Sequence, residues 1–395
     1  MSEQIKARIE RHGPKRVLAL SGGGTRGIIT IAFLEEIEKI LQERSGKGEL
    51  FRLSDYYDLI SGTSVGAMLA SMLALGYRVS EVREKFEAWA PQIFRKPFWR
   101  MVGYYPKFNA KQLSNRIKHV LQDLPLETEE LKTGLAIMMK RLDTGSPWVV
   151  TNNPYAKYWQ DPAPDPETGK PAYKGNRHYK LFDLVRASTA APYFFAPKSF
   201  PVVEGEPNGV FVDGGVSPHN NPALQSLMLA GIKGYGFNWP LGADNLFITS
   251  IGTGSYRTKL SPKDAKGKAS ALLGVTALQG LIADNEMMAL TLLQWLSAPN
   301  KSWEINSEIG DLCEDCLSDH IATEKNLLSF QHYDVKLEQD WLQEELGFDV
   351  SDQKLSELRE FDNPKNLKLA YKIAAKAVGQ QVQGTDFPAR FDEGI

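Results

Sequence analysis

As far as Gly254, short apolar runs alternate with helix-spaced patterns. RVLAL is followed by GIITIAFLEEIEKILQER, and YYDLI by a helix rich in small residues after Gly66; GLAIMMK and DNLFITSIGTG come later. Runs of that length bounded by glycine turns predict strands, and strands interleaved with helices predict an α/β layered domain. Its functional loops should open at the carboxyl ends of the strands. In the helix predicted over 27–43, Ile28, Ile31, Leu34, Ile37 and Ile40 recur at near-helical spacing and form a face for packing on the sheet. The segment NNPYAKYWQDPAPDPETGKPAYKGN is rich in Pro, Gly and Asp and reads as an excursion loop, not a linker. Past about Leu260 the composition turns to Leu, Glu, Lys and Gln with few glycines. The organisation expected is a domain over 15–258 with a mainly helical C-terminal region over 259–395 packed on it.

Composition narrows the partners. With 42% hydrophobic residues in 395, the chain can bury a sizeable core, and 46 basic against 48 acidic residues leave a formal net charge of -2. No global field draws it to a nucleic-acid polymer. MSEQIKARIERHGPKR has no apolar core of a secretory signal, which points to a cytoplasmic protein. No run reaches the roughly 18 apolar residues of a membrane span; the best, SALLGVTALQGLIADNEMMALTLLQWL, is interrupted by Asp284, Asn285 and Glu286. Lipid would be met from outside, by a protein peripheral at the membrane. Cys313 and Cys316, with His320 and His332 downstream, have the wrong spacing for a zinc finger and read as an acidic surface turn.

Two glycine turns carry the chemistry. Gly22, Gly24 and Gly27 in LALSGGGTRGII fit G-x-G-x-x-G, the dinucleotide fingerprint. That reading needs an acidic residue ending the next strand about 20 residues on, whereas Asp55 and Asp58 lie farther away and precede the second turn. In that turn, Gly62-Thr63-Ser64-Val65-Gly66 matches G-x-S-x-G between an apolar strand and a helix, the setting of a nucleophile elbow. Its glycines Gly62 and Gly66 allow a sharp turn and lift the Ser64 hydroxyl onto a helix N-terminus. A serine attacking a carbonyl makes an oxyanion that needs preorganised N–H donors. Gly22, Gly23, Gly24 and Thr25 form the expected oxyanion loop, and Arg26 either steadies it or meets a substrate phosphate. In NGVFVDGGVSPHNNPA a strand ends at Asp213, and Gly214 and Gly215 let that carboxylate approach another backbone loop.

These blocks, together with RASTAAPYFFAP ahead of the aspartate, resemble the patatin-like phospholipases, a family of serine acyl hydrolases; the resemblance covers about residues 15 to 255. It implies a three-layer α/β/α sandwich of patatin type, a dyad of Ser64 as nucleophile and Asp213 as base, and no cofactor or metal. Under it SGGGTRG is the oxyanion loop. An unperturbed Asp, with a pKa of about 3.9, is a poor base for a hydroxyl unless burial raises it. A triad of Ser64, Asp213 and His219 stands beside the dyad, although six residues from Asp to His leave little room for a relay.

The substrate expected is a membrane phospholipid. In PQIFRKPFWRMVGYYPKF, Phe94, Phe98, Trp99, Tyr104, Tyr105 and Phe108 alternate with Arg95, Lys96, Arg100 and Lys107, which suits either transient docking at an anionic membrane or a packed aromatic cover. A non-lipid esterase or acyl transferase would use the same dyad. Some bacterial relatives are lipases switched on by a nucleotide second messenger in antiviral defence, so the resemblance leaves room for a small nucleotide activator and for a homo-oligomer.

Overall fold

The computed structural model describes residues 3–95, 106–257, 270–299, 301, 303–305, 309–310, 312, 315–320 and 325–392. Lys96 to Tyr105, which hold most of the aromatic and basic residues between Phe94 and Phe108, lie outside them, as does Cys313.

The chain builds one nine-stranded mixed sheet. An N-terminal helix α1 (Glu3–Glu10) leads into β1 (Lys15–Leu20), and α2 (Gly27–Ser45) and α3 (Leu53–Tyr56) precede β2 (Leu59–Thr63). Helices α4 (Val65–Ala74), α5 (Val79–Ile93) and α6 (Ala110–Leu121) lead to β3 (Gly134–Arg141) and β4 (Pro147–Thr151). After the excursion loop come α7 (Leu181–Ser188), β5 (Lys198–Phe200), β6 (Gly209–Asp213), α8 (Ala223–Gly231) and β7 (Leu246–Ile251). Every residue of β1, β2 and β7 is buried, as expected of parallel strands covered on both faces. The two covers are identifiable at adjacent positions of β2. The Ser61 hydroxyl stands 2.8 Å from that of Ser226 on α8, while a Cβ on Gly62 would meet Gly66 on α4. Successive strand residues face opposite sides, so α4 and α8 sandwich the sheet.

At the sheet's amino end, Arg16 and Asp58 are fully buried and paired, Nε to Oδ2 at 3.2 Å, and Arg16 also donates to the Phe391 carbonyl. This ties the start of β1 to β2 and to the last described turn of the chain.

The region after residue 258 is mostly helical, with a long helix Ser270–Leu296 and a helix Leu367–Gln381. It also contributes strands β8 (Ser297–Pro299) and β9 (Leu328–Tyr333), and β9 pairs parallel to β7. The expected boundary at 258 therefore falls within one continuous sheet. The helix Leu367–Gln381 packs on the outside of α2, which explains why Ile28 through Leu34 are buried all round and not on a single face. Within β9, His332 is buried and pushed down to about 3 by its surroundings, its Nδ1 3.1 Å from the Ser250 hydroxyl. It is a core histidine of the sheet.

Among the described residues, no helix is long and apolar enough to cross a membrane.

Candidate active site

Strand β3 brings the two ends of the site together. Residues 134–138 pair parallel with β2, residues 139–141 pair antiparallel with β6, and β4 occupies the opposite edge over 136–140. Because β4 overlaps both partners in register, β2 and β6 must lie end to end along one edge of β3. They run toward each other: Thr63 sits opposite Met138 and Asp213 opposite Met139. The residue after one strand and the last residue of the other therefore meet, although 149 positions separate them in sequence.

Ser64 Oγ donates to Asp213 Oδ2 at 2.5 Å. The serine backbone is at φ 56° and ψ −123°, outside the regions an ordinary residue prefers, as in a sharp strand-to-helix turn. Close packing permits that turn. Cβ atoms on Gly62 and Gly66 would stand 2.2 Å from the carbonyl oxygens of Gly66 and Leu20 respectively, so only glycine fits at either place. The turn is also pinned from the side, because the Ser64 amide donates to Ser188 Oγ at 2.9 Å and Ser188 Oγ donates to the Met138 carbonyl at 2.6 Å. Ser188, at the end of α7, carried no signal in the sequence beyond its place in the stretch ahead of Asp213.

Asp213 is 4% exposed. Burial pushes its carboxyl up to about 6, against the opposing pull of the Ser64 hydroxyl, the Gly215 amide and the Arg186 guanidinium. Oδ1 accepts the Gly215 N–H at 2.8 Å. Burial thus supplies the more basic carboxylate that an unperturbed Asp would not provide. Arg186, itself buried, is held by the Ala196 carbonyl at 2.9 Å. His219 joins the site through its main chain, its carbonyl accepting the Thr63 hydroxyl at 2.5 Å. Among the described residues, no hydrogen bond joins its imidazole to Asp213, whose oxygens are taken by Ser64 and Gly215.

The glycine loop after β1 divides its amides. The Gly22 N–H donates to the Asn220 carbonyl at 3.0 Å, and the Thr25 N–H to the Phe361 carbonyl at 2.7 Å. Both are therefore spent on holding the loop, so of the four residues expected to form the oxyanion loop these two offer no free N–H. Among the described residues, those of Gly23 and Gly24 have no acceptor. Arg26 donates to the Gly254 carbonyl at 2.8 Å and lies over the Tyr256 ring, the geometry of a loop-ordering residue. Several supports come from beyond residue 258, where the sequence offered no motif: Phe361 receives Thr25, Glu286 receives Ser21 and Asn220, and Asp334 receives the Gly254 amide at 2.7 Å. Asp334 is buried and pushed up to about 7, first by desolvation and then by Glu286.

Gly23, Gly24, Ser64 and Asp213 border a cavity of about 1090 Å³. Its wall is apolar where α4, α5 and α6 contribute Met68, Phe86, Trp89, Ile93 and Leu113, with Phe94 just past the end of α5, and charged where Arg257, Asp334 and Lys336 follow β7 and β9. Phe108 is buried against Phe94, Phe194 and Phe195, so these ends of the aromatic segment belong to a packed cover.

Residues 18–227, just over half of the chain, match the family described as "Patatin-like phospholipase". Among similar proteins, a "cGAMP-activated phospholipase" of Vibrio cholerae is 29% identical over 296 residues, covering 71% of this chain and 77% of that protein. A protein of the same name from Escherichia coli is 31% identical over 257 residues, covering 62% of this chain and 64% of its own. "Patatin group J-1" of Solanum tuberosum is 31% identical over 228 residues, 54% of this chain and 52% of that one. With that match over more than half of its length, the chain belongs to the patatin-like phospholipase family of lipid hydrolases.

Proposed function

We propose that this protein cleaves fatty-acyl esters of membrane phospholipids through an acyl-serine intermediate on Ser64. The observation that carries this reading is the 2.5 Å hydrogen bond from Ser64 to a buried carboxylate, beside two amides without acceptors, at the wall of a partly apolar cavity. Ser64 Oγ attacks the ester carbonyl carbon while its proton passes to Asp213 Oδ2. The carbonyl electron pair moves onto oxygen, where the Gly23 and Gly24 amides stabilise it. Collapse expels the alcohol, which leaves as lysolipid after taking the proton back from Asp213. Water then repeats the sequence on the acyl-serine, releasing fatty acid and restoring Ser64. The apolar wall suits the acyl chain, and the cavity's volume lies just above the roughly 300–1,000 Å³ common for small-molecule sites.

The test is fatty-acid release from phospholipid vesicles by wild type, Ser64→Ala and Asp213→Asn. Release by wild type and its loss in both variants is expected; release that survives Ser64→Ala would name a different nucleophile. The names of the two bacterial relatives favour a second reading, in which a cyclic nucleotide switches the activity on. Release that appears only on adding cyclic dinucleotides would establish it, and release by protein alone would reject it.

A further inference from the structure

The geometry points to Glu286 as the positioning residue of the oxyanion loop. It sits on the long helix Ser270–Leu296, far in sequence from every catalytic block, and its carboxylate bridges two segments that hold Gly22. Oε1 accepts the Ser21 hydroxyl at 2.9 Å, and Oε2 accepts the Asn220 side-chain amide at 3.0 Å. Ser21 is the residue by which the chain leaves β1, and Asn220 is the residue whose carbonyl takes the Gly22 N–H. The Gly22 carbonyl is fixed in turn by the Thr253 hydroxyl at 3.0 Å. With both sides of the Gly22 unit held, the direction of the next two amides is set before substrate arrives. A group with two acceptor oxygens is suited to this place, because both arms of the brace end in donors that are themselves buried. Ser21 and Asn220 belong to different elements, so the carboxylate sets their separation as well as satisfying them.

This inference rests on the proposed acyl-hydrolase reading for its consequence, namely that Glu286 touches no reacting atom and acts through the amides of Gly23 and Gly24. A mispositioned oxyanion loop slows the chemical step with less effect on substrate binding. Glutamine keeps both contacts, accepting from Asn220 through its oxygen and donating to the Ser21 hydroxyl, which can also accept.

The experiment compares Glu286→Ala, Glu286→Gln, Ser21→Ala and the double variant Glu286→Ala/Ser21→Ala in the full chain. The readouts are hydrolysis of a dispersed short-chain ester and hydrogen–deuterium exchange of the peptide over residues 20–27. For Glu286→Ala a fall in kcat of about ten- to a hundredfold is expected, with KM within threefold. Ser21→Ala should show a smaller fall, the double variant should be no worse than Glu286→Ala, and Glu286→Gln should keep most of kcat. Exchange over 20–27 should quicken at least tenfold in Glu286→Ala and stay near wild type in Glu286→Gln. The exchange arm needs no turnover, so it judges the brace even where wild type fails to hydrolyse the ester, a result that would count against the proposed activity alone. If Glu286→Ala is too unstable to purify, Ser21→Ala carries the same comparison. Unchanged kcat with unchanged exchange in the alanine variants, or a glutamine variant as impaired as alanine, would overturn the inference.

Discussion

Asp213→Asn should stabilise the protein while abolishing its activity, and the gain should grow with pH. Burial holds the Asp213 carboxyl at about 6 instead of its ordinary 3.8, so between those values the folded state binds more protons than the unfolded one. The stability that this group contributes therefore falls as pH rises from about 4 to about 6 and then stays level. At 1.36 kcal/mol per pKa unit, the ionised carboxylate costs the folded state about 3 kcal/mol at pH 8, where both states are ionised. At pH 5, with the native carboxyl mostly protonated, the same linkage gives about 1.6 kcal/mol. Asparagine is close in shape, can satisfy both Ser64 and the Gly215 amide, and never ionises. Its advantage over wild type should therefore widen by about 1.4 kcal/mol between pH 5 and pH 8, whatever the fixed difference between the side chains. Urea unfolding of both proteins at the two pH values, followed by tryptophan fluorescence, measures that widening directly. A stability difference that is the same at both pH values, or that shrinks toward pH 8, would refute the claim that this carboxyl is raised by burial.

The same group should set the acid limb of catalysis: kcat/KM for a dispersed short-chain ester should fall about tenfold per pH unit below about 6, because only ionised Asp213 accepts the serine proton. A limb near pH 4 would place the functional carboxylate elsewhere. Gly24→Ala should lower kcat at least tenfold and cost about 1–3 kcal/mol of stability, since Gly24 has φ +58° and a Cβ there would stand 2.0 Å from the Phe361 carbonyl oxygen. A steady-state assay with a parallel melt checks both, and wild-type kcat in that variant would mean the loop is not under this constraint.

The parts of the site that could be read in the sequence are those written locally. SGGGTRG, GTSVG and VDGG each lie in one strand and its following turn, and glycines mark where backbone must turn or approach. Nothing local says that β2 and β6 meet end to end along β3; the glycines after Asp213 allowed its carboxylate to come within reach of Ser64, and the resemblance implied the dyad, but neither gave the strand arrangement that makes the contact. The glycine loop shows the same limit: the peptide spacing offers Gly22 and Thr25 as donors, and only the distant Asn220 and Phe361 carbonyls reveal that these two are occupied. Strand β9, LSFQHY, was hidden because its polar residues are satisfied inside the sheet, Gln331 and His332 being buried there. The even burial of the first half of α2 likewise reflects a helix that arrives more than 300 residues later.

The supports of the glycine loop carry a consequence for how this hydrolase comes into being on the ribosome. Ser64 and Asp213, the proposed nucleophile and base, are both made by residue 213, but the strand beside β7, the Glu286 carboxylate and the Phe361 carbonyl are synthesised about 70 to 150 residues later. A nascent chain stopped near residue 258 owns the serine and the aspartate and still lacks the clamps that aim its amides. Translation thus imposes an order in which Ser64 and Asp213 precede the supports of the glycine loop beside them.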